Sequence, residues 1–149
     1  MKYLLLDIDD TIAPLKIGET NTVTVDRMSI EISIPIHVAE WLKRTSKKQI
    51  KIFWCTDRSP IMGSTIEKAI GFKTEGQLQF FNKKAYNWSK LYSIIEFCIE
   101  HEDEDDLVIL ADNHVERMTK GVELPNNLEL VLPSDATLTI EDLKLIDGL

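Results

Sequence analysis

Asp7 and Asp9 stand at i and i+2 directly after the apolar run Tyr3-Leu4-Leu5-Leu6. Side chains alternate along a strand, so two carboxylates so spaced at its tip are expected on one side of the chain. Like charges held that close repel, and burial raises the cost. A divalent cation with oxygen ligands relieves both. Two further apolar runs end in polar residues: 50–54 runs into Cys55-Thr56-Asp57-Arg58, and 107–110 runs into Ala111-Asp112-Asn113. The expected chemistry lies in Asp7, Asp9, Thr56 and Asp112, with a lysine nearby. Such a set suits a phosphate held by magnesium, which prefers one or two carboxylates plus phosphate and water oxygens. A carboxylate nucleophile there can take the phosphoryl group as an aspartyl-phosphate.

These tips converge only if their strands lie parallel in one sheet, because α/β sheets bind ligands outside the carboxyl ends of their strands. The runs at 3–6, 50–54 and 107–110 are continuously apolar, as strands covered on both faces are. Residues 22–25 and 28–34 read as a half-exposed hairpin ended by Pro35. Helical spacing follows at Val38, Trp41 and Leu42. A short helix is expected from Ser64, where Ser64-Thr65-Ile66-Glu67 has the capping-box pattern, to Gly71. Residues 78–81 read as a brief strand, and 89–100 as a longer helix with Leu91, Ile94, Ile95, Cys98 and Ile99 on its apolar face. A last strand at 128–132 and a C-terminal helix opened by Thr139 complete the pattern. Strands alternating with helices predict one α/β domain over 1–149 with a mainly parallel sheet.

The chain's 149 residues are enough to bury a core. Seventeen basic residues against twenty-five acidic ones give a net charge of −8, which does not favour generic nucleic-acid binding. A local basic patch at Lys83, Lys84 and Lys90 stays compatible with it. Cys55 and Cys98 sit in apolar surroundings without metal-ligand spacing and read as buried free thiols. Asp7 breaks the apolar stretch after Met1-Lys2, so no signal peptide is visible, and no segment is long enough to span a membrane. A cytoplasmic protein is expected.

The motifs resemble those of the haloacid dehalogenase (HAD) superfamily. Leu4-Leu5-Leu6-Asp7-Ile8-Asp9-Asp10-Thr11 is similar to its first motif, an apolar strand followed by DxDx[T/V], and Ile52-Phe53-Trp54-Cys55-Thr56 to its second. Ala111-Asp112-Asn113-His114-Val115-Glu116 resembles the fourth, GDxxxD, with Ala for the glycine and Glu for the last Asp. The third motif is a lysine at or before the helix preceding the fourth; Lys90 is the first choice, then Lys84 and Lys83. The resemblance implies a Rossmannoid three-layer fold with about five strands, a flap hairpin at about 20–35 and no large cap. It implies that Asp7 is the nucleophile and Asp9 the general acid and base, with Thr56 and the lysine holding the phosphoryl oxygens. Magnesium would lie on Asp7, Asp112 and the Asp9 backbone carbonyl, supported by Asn113 or Glu116. An Asp at position 9 marks phosphatases and phosphomutases in that family. A capless site suits a bulky or macromolecular substrate, or a partner that closes over it; the phosphorylated substrate itself stays open between a small ester, a phosphoprotein and a nucleic-acid end. The layout is also similar to a small capless branch associated with RNA-repair proteins.

Other residues carry plainer expectations. Asp10 reads as a turn residue, and Asp57-Arg58 either touches substrate, as does Lys84, or forms a surface pair. Trp41 and Trp88 read as packing anchors, His114 as a supporting or surface residue, and the acidic stretch 100–106 as a solvated turn. His37 and His101 are assigned no role. Two other function classes stay open: a binding or regulatory module that keeps the fold without catalysis, and a phosphoacceptor receiver built on Asp57. The hairpin and Pro14 after the first strand, where a receiver needs a helix, weigh against the last.

Overall fold

The computed structural model describes residues 1–14, 22–27, 30–81, 87–103 and 105–149, the side chains of 22–27 and 30 excepted. In chain order the elements are β1 (Lys2–Leu6), β2 (Thr22–Arg27), β3 (Ile30–Pro35), α1 (Ile36–Thr45), β4 (Ile50–Trp54) and α2 (Pro60–Ile70). Then come α3 (Ser89–Glu100), β5 (Leu107–Ala111), α4 (Val115–Met118), β6 (Leu128–Val131) and α5 (Ile140–Gly148). Strands β4, β1, β5 and β6 form, in that order, a wholly parallel sheet, while β2 and β3 pair antiparallel as a separate ribbon. The architecture is α/β, compatible with a Rossmann-like fold.

The pleat of β1 sorts its side chains between two cores. Leu4 and Leu6 face Trp41 and Leu42 of α1, Ile66 of α2, and Leu143 and Ile146 of α5. Tyr3 and Leu5 face the other way, toward Leu91, Ile94, Phe97 and Cys98 of α3. The sheet is therefore the middle of three layers. Leu4, Leu5 and Leu6 are wholly buried, each worth roughly 2 kcal/mol of apolar burial. In the ribbon, Ile32 and Ile34 join the α1 side of the core.

Two expectations need correction. Among the described residues the sheet has four strands rather than about five, since 78–81 forms no strand. Instead the chain meets the outer edge of β4 slightly earlier: Glu75 N donates to Ile52 O (2.8 Å), Trp54 N to Gly76 O (2.8 Å) and Leu78 N to Trp54 O (2.9 Å). A single bridge, Trp54 to Gln77, forms there among the described residues. Helix α2 begins at Pro60, not Ser64. Ser59 caps it by accepting from Ile61 N (3.3 Å), and proline at the first position presets the helical φ. Ser64 then falls in mid-helix, and Glu67 is drawn off to Trp54 Nε1 (3.3 Å) and Thr74 N (2.6 Å). The expected stop holds: Gly71 adopts the left-handed cap conformation at φ 88°. Helix α5 also opens as expected, with Thr139 Oγ1 accepting from Asp142 N (3.2 Å) and Asp142 Oδ2 accepting from Thr139 N (2.8 Å). Hydrogen bonds from Ser134 and Thr139 hold the Asp142 carboxyl below its usual range despite burial.

Candidate functional site

Register decides which residues meet. Leu6 lies opposite Trp54 on one side and Ala111 on the other, so all three apolar strands end at the same level. Pairing then continues by one residue, with Cys55 N donating to Leu6 O (2.8 Å) and Asp7 N to Ala111 O (3.1 Å). Asp7, Cys55 and Asp112 thus form a row just beyond the sheet, with Thr56 one residue higher.

Lys90, in the first turn of α3, reaches into this row. Its Nζ donates to Asp112 Oδ2 (2.7 Å) and Cys55 O (2.9 Å) and pairs with Asp7 Oδ1 (3.0 Å). An ammonium has three donors, and all are engaged here. Phe80 and Trp88 flank it, with ring centroids 5.9 and 5.8 Å from Nζ. Lys90 is 2% exposed, Asp7 5% and Asp112 0%, so the cluster is buried.

One cation facing two carboxylates leaves a residual charge of −1. Burial, the largest cause, and the nearby Asp112 push the Asp7 carboxyl up to about 6, even with Lys90 pulling it down. Burial would push the Lys90 ammonium down, but Asp7 and Asp112 more than offset it and hold it above its ordinary range. Both groups are thus raised, Asp7 chiefly by burial and Lys90 by the two carboxylates that outweigh burial. Its donor set, two carboxylates with spare lone pairs, fits a hard divalent cation. Among the described residues no three His, Cys, Asp or Glu side chains gather as a metal cage. Asp7 and Asp112, with a backbone carbonyl such as that of Asp9, are what could hold an ion.

Asp9 does not join the triad through its side chain. Beyond Leu6 the chain turns, with Ile12 N and Ala13 N both donating to Ile8 O (3.0 Å each), and strand alternation no longer governs. The Asp9 carboxylate meets Arg58 instead, in a bidentate fork: Nη2 to Oδ1 (2.7 Å) and Nε to Oδ2 (2.9 Å). That bond with Asp9 raises the Arg58 guanidinium further above its usual range. Arg58 is therefore paired with Asp9. Thr56, 2% exposed, accepts Arg58 N on its Oγ1 (3.1 Å) and keeps its hydroxyl proton to donate. Asp57 is exposed beside it.

The remaining expectations sort as follows. Lys83 and Lys84 lie outside the described residues. Asn113 borders the triad; its N donates to Thr11 Oγ1 (3.2 Å), and its buried Oδ1 has no partner among the described residues. Glu116 is exposed on α4. His114 is exposed too; its backbone N donates to Asp112 Oδ1 (2.8 Å) and its ring contacts Arg117. Asp10 takes a left-handed turn conformation at φ 52°. Trp41 is a buried anchor bonded to Asp147, and Trp88 is 7% exposed. His37 and His101 donate to backbone carbonyls of Leu138 and Phe97. Cys55 and Cys98 are buried free thiols, burial pushing Cys98 up to about 12.

Thr11, the last residue of the DxDx[T/V] pattern, has its Oγ1 3.5 Å from both Asp7 Oδ2 and Asp9 O, tying the turn to the triad. One contributor carries no sequence signal. Gln77 braces the Thr56 loop, its Nε2 donating to Thr56 O (3.2 Å) and Arg58 O (2.8 Å). No local pattern marks it, because the contact crosses twenty residues of chain. A cavity of about 550 Å³ opens beside this loop, from Thr56 and Arg58 along 77–81. Among the described residues no helix is long and apolar enough to cross a membrane. The chain matches no protein-family model, no curated protein and no solved structure.

Proposed function

We propose that the chain is a magnesium-dependent phosphomonoesterase of the haloacid dehalogenase kind, acting through an aspartyl-phosphate on Asp7. In this reading the fold is the Rossmannoid core of that family, the β2–β3 ribbon takes the place of its flap, and no large cap covers the site. One observation carries it: Lys90 joins the Asp7 and Asp112 carboxylates in a buried row at the aligned strand ends, with the Thr56 hydroxyl beside them.

Asp7 and Asp112, with the Asp9 carbonyl, would hold magnesium, which when bound supplies positive charge to the phosphoryl oxygens and favours ionised Asp7. An Asp7 oxygen attacks phosphorus as the bond to the leaving oxygen breaks, and Asp9 gives that oxygen its proton. Ionised Asp9 then takes a proton from water, whose oxygen attacks phosphorus and frees Asp7 and inorganic phosphate. Thr56 donates to a phosphoryl oxygen. Lys90 has no free donor and acts by charge at close range, holding Asp7 in line. Arg58 must leave Asp9 before that carboxylate can carry a proton, and a phosphate dianion is the partner a guanidinium fork accepts in exchange. The free thiols suit a reducing compartment such as the cytoplasm.

The test is hydrolysis of a generic aryl phosphate with magnesium and with chelator. Activity that requires magnesium and disappears in Asp7→Asn, with the fold retained, is expected; full activity in Asp7→Asn overturns the reading. The Arg58–Asp9 fork also favours a second reading, a binding module in which Asp9 stays locked. Magnesium binding without turnover of any ester would select it.

A further inference from the structure

We propose that the groove beside Thr56 and Arg58 receives the leaving group of the substrate, and that this leaving group is a nucleoside, so that the substrate is a nucleoside monophosphate. The proposal rests on the phosphomonoesterase reading above. The groove, about 550 Å³, lies in the range of small-ligand sites. It shares Thr56 and Arg58 with the phosphoryl site, so an ester held there extends its leaving group into this space. Phe80 links the two, lining the groove while its ring flanks the Lys90 ammonium at 5.9 Å.

The chemistry of the wall selects the occupant. Phe81 is 51% exposed, with no ring partner among the described residues. A half-exposed aromatic face beside a reaction centre favours a flat ring stacked on it. Asp57 and Gln79 are exposed in the same groove and present acceptors, with one amide donor, to ribose hydroxyls and base edges. Ser93 Oγ holds the Gln79 backbone carbonyl (2.8 Å) and Gln77 braces the opposite loop, so both walls are fixed. A sugar phosphate offers Phe81 a C–H face but no π face. A phosphotyrosyl ring can stack on Phe81 but brings no polar edge for Asp57 and Gln79 to bond. A polynucleotide adds repelled phosphates to a chain of net charge −8.

Two measurements test this. The first compares kcat/KM for nucleoside 5′-monophosphates, glycerol phosphate, a hexose phosphate, phosphotyrosine and a 5′-phosphorylated oligonucleotide. Nucleotides are expected to lead by at least about tenfold, and Phe81→Ala to lower their kcat/KM by about ten- to a hundredfold. The loss on glycerol phosphate should be much smaller, and Phe81→Tyr should restore the nucleotide preference. The second follows binding of free adenosine to the Asp7→Asn protein by ligand-observed NMR, which needs no turnover; binding lost in Asp7→Asn/Phe81→Ala supports the groove. Equal rates across the esters, a lead for phosphotyrosine or oligonucleotide, or no adenosine binding overturns the proposal. If no ester is hydrolysed yet adenosine binds through Phe81, the phosphatase reading falls while the nucleoside groove stands.

Discussion

Replacing Lys90 with methionine keeps most of the stem and removes the charge that two buried carboxylates share. The contacts at 2.7 and 3.0 Å are each worth about 5–6 kcal/mol of gross attraction at an effective dielectric near 20. Desolvating the ammonium offsets much of this, and breaking a buried pair costs about 3–5 kcal/mol net. Lys90→Met should therefore lose about that much stability at pH 8, where Asp7 and Asp112 would face each other uncompensated. At pH 5 the loss should shrink, because Asp7, raised to about 6 even with Lys90 pulling it down, takes a proton once that lysine is gone and relieves the repulsion. Urea denaturation at both pH values, without divalent cations, reads this directly. Adding Asp112→Asn to Lys90→Met should cost less than the two single changes summed, since they share one interaction. A loss below about 1 kcal/mol at pH 8, or an equal loss at both pH values, would refute the shared-charge argument.

The same cluster sets the pH dependence of the unaltered protein. Asp7 rises from an ordinary 3.8 to about 6 on folding, so its stabilising proton is fully present below pH 4 and lost as pH climbs through 6. Stability in chelator should fall across that window, and Asp7→Asn should gain roughly 3 kcal/mol at pH 8, measured by denaturant midpoint. Gly63→Ala should lose about 1–3 kcal/mol, since the added Cβ would meet the Trp54 indole at 2.6 Å and Trp54 is pinned to Glu67. Thr139→Ala should lose about 1 kcal/mol by opening the capping box of α5, read by thermal or urea unfolding.

The site's frame was legible because it rests on local pattern. Apolar runs that stop in Asp7, Thr56 and Asp112 mark strand ends, and parallel pairing makes such ends converge. Lys90 was harder to pick out. It lies on the buried side of α3 beside Leu91 and Ile94, a position of the helix that binary pattern assigns to apolar residues. Only the acids at the strand ends explain a lysine there. The Asp9–Arg58 fork was out of reach, since it joins side chains 49 positions apart after both strands have ended. Helix α2 was read late because Ser59-Pro60 and Ser64–Glu67 are both valid start signals. Proline at the first position won, and Glu67 found better partners in Trp54 and Thr74. The residues at 78–81 have strand composition, but the pairing edge of β4 is used up by 75–78.

Beryllofluoride mimics a phosphoryl group on a carboxylate and requires a nucleophilic Asp, a metal and neighbouring donors together, whatever the natural substrate. Fluorine NMR of the protein with beryllofluoride should show bound resonances only with magnesium present, and none in Asp7→Asn. Bound signals that persist in Asp7→Asn, or no bound signal in the intact protein with magnesium, would contradict the assignment of the Asp7–Lys90–Asp112 row as a phosphoryl-transfer centre.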